Sequence, residues 1–250
     1  MSRIKPIIIN LLMLLVFYRC PEPVEDPDPP VRPNWVECTL PESVNDRGIR
    51  SDPISDAIVL EWHPNPDEDL AGYLIYRTTQ KIDNPYQLLA DINVFETGGN
   101  DTIYYDETAP LNELCYYYLK AYDQAGNRSQ PTDTIFYRLL PKVDLIYPLS
   151  PIAENRPLFS WNDLSQTGYE YVIQVIALKN KEVVWIYRMS RPNYADFLQT
   201  VRFNKDNTAI ISGLITGESY QWGIETIGAV NQKNIEVAGS KSYWGYFTVN

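Results

Sequence analysis

Residues 57–77 read A-I-V-L-E-W-H-P-N-P-D-E-D-L-A-G-Y-L-I-Y-R, and the alternation of their apolar side chains decides the fold. Ile58, Leu60 and Trp62 share one parity and Glu61 has the other. This stretch is therefore expected to be a strand that sends the first three into a core and Glu61 toward water. Pro64 and Pro66 end it, since proline cannot donate to a ladder. Gly72 to Arg77 then starts a second run of aromatic and β-branched residues. Farther along, Lys120 sets the register of residues 114–123. If it faces solvent, Cys115, Tyr117, Leu119 and Ala121 face a core, and Tyr116, Tyr118 and Tyr122 face outward.

The chain has 250 residues, enough for two domains of roughly 100 residues and a tail. Its 19 Tyr and 6 Trp favour an all-β protein, and a net charge of -11 argues against a nucleic-acid partner. Three cysteines without a C-x-x-C and a single histidine, His63, leave no material for a zinc site or a multi-histidine centre. No P-loop, G-x-S-x-G or H-E-x-x-H occurs. Asp67, Glu68 and Asp69 form the densest acid cluster, a composition that suits calcium binding or glycoside hydrolysis. They fall between two strands, where a solvated loop is the simpler reading. The expectation is a protein without catalytic residues, metal or cofactor.

Residues 1–20 carry Arg3 and Lys5, then an apolar run of about a dozen residues, then Arg19 and Cys20. That run is shorter than the roughly 20 residues a spanning helix needs, so a secretory signal is expected. Residues 21–33, P-E-P-V-E-D-P-D-P-P-V-R-P, have no hydrophobic period and read as an extended spacer. A first domain is placed at 34–140, with strands at 36–40, 86–92, 102–106 and 134–139 beside those above. The connection at 41–56 is polar. A second domain is placed at 141–250, with strands at 171–175 and 182–189 and a short helix possible at 193–201. The two domains are expected to meet near 140–142 without a shared sheet.

Several motifs resemble known families. Cys20, closing the apolar run before an acidic proline-rich spacer, resembles the lipidated cysteine of a bacterial lipoprotein, with an uncleaved anchor or another cleavage site as alternatives. The D-E-D-L-A-G-Y-L-I-Y-R wording and Ala121-Tyr122-Asp123 through Gly126-Asn127 resemble bacterial fibronectin type III domains. Pro157, Phe159 and Trp161, with Leu214, Gly217, Tyr220 and Trp222, resemble a variant of the same family. The resemblance implies two antiparallel immunoglobulin-like β-sandwiches in tandem, with Trp62 in one core and Trp161 and Trp222 in the other. It further implies that the Tyr220 hydroxyl bonds to upstream backbone at a tyrosine corner. In the first domain Cys115 stands where that family places its corner tyrosine. Export to an oxidising compartment then suggests a cross-sheet disulfide from Cys38 to Cys115, with two buried thiols as the alternative.

In such a sandwich the strands at 72–77 and 114–123 are neighbours, which would gather Tyr76, Tyr116, Tyr118 and Tyr122 on one outer face, with Phe136 beside them if Ile135 and Tyr137 point inward. Exposed tyrosines suit recognition of proteins or sugars, whereas cross-strand stacking alone would be structural. The expected role is an exported, cell-envelope-anchored binding or scaffold protein that contacts an envelope or surface protein. The alternative is a carbohydrate-binding accessory subunit of a polysaccharide-degrading or secretion complex.

Overall fold

A computed structural model describes residues 27–79, 85–96 and 102–250, so Cys20 and the signal segment lie outside the described residues. Every regular element among the described residues is a strand. The first half holds β1 (Arg50–Ser51), β2 (Ile58–Glu61), β3 (Leu70–Thr79), β4 (Gln87–Asn93), β5 (Ile103–Asp106), β6 (Leu114–Asp123) and β7 (Ile135–Leu139). They form one sheet in the order β1-β2-β5 and another in the order β4-β3-β6-β7. The second half holds β8 (Asp144–Tyr147), β9 (Leu158–Asn162), β10 (Glu170–Ala177), β11 (Glu182–Ser190), β12 (Leu198–Arg202), β13 (Ser219–Val230), β14 (Glu236–Lys241) and β15 (Gly245–Thr248). Here β12-β9-β8 faces β11-β10-β13, and β14 and β15 pair with successive parts of β13.

The fold is all-β, two antiparallel sandwiches in tandem, and each buries its own aromatic core. Alternation is clean in β6, where Cys115, Tyr117, Leu119 and Ala121 have no solvent exposure. Trp62 anchors the first core edge-on to Trp35 and Tyr73. Trp161 and Trp222 are fully buried in the second, with Phe159 4.8 Å from Trp222. The Ile215 N–H donates to the Tyr220 hydroxyl at 2.9 Å, the tyrosine corner that the sequence suggested.

Four expectations change. Glu61 keeps its predicted parity but is buried, because Arg47 (2.5 Å) and Arg50 (3.0 Å) bind its carboxylate and the Gly48 N–H donates to it. The bonds that satisfy this charge come from the 41–56 connection, which folds back over the strand. Residues 36–40 form no ladder. Trp35 makes only an isolated bridge to Trp62, and the regular pairing with β2 is made by Arg50 and Ser51. The possible helix at 193–201 is instead a turn leading into β12, whose Gln199 and Val201 are buried while Leu198, Thr200 and Arg202 are exposed, a period of two rather than 3.6.

The fourth change concerns the junction. β7 and β14 pair in parallel at Arg138 with Ala238 and Leu139 with Gly239, so one sheet of each sandwich fuses into a nine-stranded sheet. Only residues 140–143 separate β7 from β8, which brings two edge strands side by side, and edge strands carry unpaired backbone groups that seek partners. The Leu140 N–H donating to the Gly239 carbonyl extends the contact. Leu139 faces the first core. Its neighbour Gly239 shares parity with Lys241, whose side chain points away from the second core. The two three-stranded sheets therefore lie on opposite sides of the fused sheet.

Candidate binding face

On one side of the fused sheet the second sandwich presents its outward residues to the first. Residues 39–56 cross this face as a strap. Arg188 binds Glu42 at 2.9 Å as well as Glu170, Gln174 donates to the Ser43 carbonyl, and Lys241 binds Asp46 and, at 3.6 Å, Glu225. Lys142 donates to the Asp52 carbonyl at 2.5 Å. Val172, although on the outward parity of β10, has no solvent exposure. Burial raises the Glu225 carboxyl to about 7 and that of Glu236 to about 8. Asp46 adds to both shifts and Lys241 works against them. Glu236 also accepts from the Tyr137 hydroxyl of the first core.

On the other side, the corresponding face of the first sandwich is aromatic and is not covered by any of the described residues. Tyr76 and Tyr118 pair across β3 and β6 and stack with centroids 4.8 Å apart and planes 16° from parallel. Tyr86 leans on Tyr118 at 4.8 Å, and Tyr116 meets Phe136 of β7 at 5.9 Å. The Tyr122 hydroxyl donates to Asp91 on β4 at 2.8 Å. Burial and that carboxylate push its titration up to about 12. Burial, with Tyr76 and Tyr86 close by, likewise raises Tyr118.

The four tyrosines named from the sequence thus share one face, half-buried by one another and not by the second sandwich. Three contributors escaped the sequence reading. Tyr86 and Leu88, 36 % and 54 % exposed, extend the patch across β4, and Arg138 lies at its junction end. The register shift between Ile75 and Tyr76 set Leu88 opposite Tyr76, and a bulge leaves no mark in a simple alternation.

Cys38 and Cys115 are free thiols, a correction to the expected disulfide. Without a strand at 36–40, Cys38 lies against Gly48 and Ile49, while the Cys115 thiol sits beside the Tyr117 hydroxyl. Burial raises both thiols. Tyr117, two residues past the expected corner position, makes its own hydroxyl bond, to Asp106 at 2.8 Å.

Other polar clusters are closed on themselves. Asp106 also accepts from Arg77 and Thr108, and Asp163 accepts from Arg191 and Tyr171 inside the second core. His63 is exposed at a strand end. Asp67 accepts from the Val31 N–H at 2.5 Å, which ties the start of the described chain to the loop after β2.

No family model matches the chain, and no curated protein matches it in sequence. Among solved structures, the FN1–FN3 domains of chicken CNTN1 are 14 % identical over 89 % of this chain and 68 % of that one, with a TM-score of 0.33. A two-domain fibronectin type III segment of chicken tenascin is 12 % identical over 88 % and 97 %, TM-score 0.31. A β-1,2-glucanase from Parabacteroides distasonis is 24 % identical over 44 % of this chain and 14 % of that one, TM-score 0.30. The tandem sandwich rests on the strand pairing described above, and these likenesses assign no ligand to it.

Proposed function

We propose that this chain is a non-catalytic binding or scaffold protein of the bacterial cell envelope, exported and held at a membrane through Cys20. In this reading the face built from Tyr76, Tyr86, Tyr116, Tyr118, Tyr122 and Phe136 captures a partner protein. The supporting observation is the contrast between the two faces. The second sandwich has its outward face covered by the chain itself, whereas on the first no described residue covers a contiguous aromatic patch. Tyrosine provides a large contact area with few rotors and a polar tip, which suits recognition without a continuous greasy surface.

The test is the double substitution Tyr116→Ser and Tyr118→Ser in the exported protein. The thermal midpoint should stay within a few degrees while capture of a cross-linked envelope partner weakens at least tenfold, about 1.4 kcal/mol. Unchanged capture would move the binding surface elsewhere. Depletion of the protein onto insoluble glycans, lost in the same variant, would favour a sugar ligand.

A further inference from the structure

We propose that the open face of the first sandwich docks an extended, acidic, proline-punctuated segment of a partner protein, in the manner in which residues 39–56 dock on the matching face of the second. This rests on the aromatic face being the binding surface and adds the chemistry of what it binds.

The covered face is the internal precedent. Its occupant is a largely strandless stretch bearing Pro41 and Pro53, and it is gripped where its carboxylates meet basic residues of the sheet, Glu42 with Arg188 and Asp46 with Lys241. The open face offers two cations without an acid partner among the described residues, while its one carboxylate in that row, Asp91, is engaged by the Tyr122 hydroxyl. Lys120, opposite Leu74 and two residues from Tyr118, has no carboxylate partner among the described residues. Arg138, two residues from Phe136, has none either, and its Nε is buried without a hydrogen-bond partner. The other half-buried or buried cations near the strap and the cores, Arg50, Arg77, Lys142, Arg188, Arg191 and Lys241, all have acid partners.

A carboxylate from outside would pair with the unpartnered charges of Lys120 and Arg138. Between the two cations run Tyr118, Tyr116 and Phe136, a row of ring edges of the kind that proline-rich extended segments pack against at low ordering cost. A polypeptide is favoured over an acidic glycan because the internal precedent is a polypeptide.

The experiment titrates the full exported chain with a synthetic peptide of the composition P-E-P-V-E-D-P-D-P-P-V-R-P, the sequence of residues 21–33, followed by tyrosine fluorescence and amide chemical shifts. Saturable binding is expected. It should weaken at least tenfold on Lys120→Glu, on Tyr118→Ser, and when the peptide's acids become amides. Absence of saturable binding up to about 1 mM peptide, which corresponds to about 4 kcal/mol, overturns the inference, as does binding indifferent to Lys120→Glu. Polygalacturonate is the second probe. If it binds with Tyr118 dependence while the peptide does not, the aromatic face stands as the site and the partner class is wrong. If Tyr118→Ser alters no interaction of the chain, the functional reading fails with it.

Discussion

The two sandwiches present the same outer face to opposite sides of one sheet and treat it in opposite ways. In the second, β10, β13 and β14 turn Val172, Glu225 and Lys241 toward the strap, and two carboxyls are kept above their ordinary range by burial. In the first, β3, β6 and β7 turn tyrosines, Phe136 and two cations toward solvent. The difference arises from one asymmetry. The stretch before β2, residues 39–56, is long and charged in the first half and crosses to the neighbour's face. The stretch before β9, residues 148–157, is shorter than the strap, and residues 152 and 155 bond within the second half, to Thr248 and Leu214. Among the described residues, one face becomes an interior because a segment lies on it, and the other is left open.

The largest effect that would sharpen this contrast is the pH dependence of the covered side. Glu225 and Glu236 shift from an ordinary 4.5 to about 7 and about 8, so the native chain holds protons that the unfolded chain has already released. Stability should be full below about pH 4.5 and fall as pH rises toward 8. The loss is at most about 1.4 kcal/mol per pH unit for each group still protonated only in the native state. Above about 8 it should level off. Urea unfolding across that window measures the slope, and Glu236→Gln should flatten its upper part. A flat profile in the parent protein would mean that neither carboxyl is held protonated.

Next in size is removal of the cation that joins strap to sheet. Lys241→Met leaves Asp46 and Glu225 facing each other, and breaking a pair this buried should cost about 3 kcal/mol at pH 8. The cost should be smaller at pH 6, where Glu225 can stay protonated. Amide exchange should quicken across residues 42–50 while exchange in β6 stays unchanged. Equal loosening of both would show that strap and open face are not independent.

The smallest effect belongs to the open side. Tyr122→Phe removes a hydrogen bond to Asp91 at the patch edge and should cost about 0.5–1 kcal/mol. An ultraviolet titration should lose a tyrosine that ionises near 12. Retention of that late-titrating signal would assign it to another ring.

Much of the architecture was legible in residue order alone. Alternation around Lys120 set the register of β6 and the outward parity of Tyr116, Tyr118 and Tyr122. The patterns around Trp62, Trp161 and Tyr220 placed both cores and the tyrosine corner of the second sandwich. These are local facts, because a strand's period of two ties each side chain to its immediate neighbours. The burial of Glu61, the unpaired thiols of Cys38 and Cys115 and the fusion of the two sheets through β7 and β14 were not legible. Each depends on where the strap at 39–56 comes to rest or on two edge strands meeting across about a hundred residues of sequence. So the sequence determined which faces the strands have. Which of them is covered was decided only in three dimensions, because covering a face requires a segment remote in the chain, and no periodicity records which one arrives.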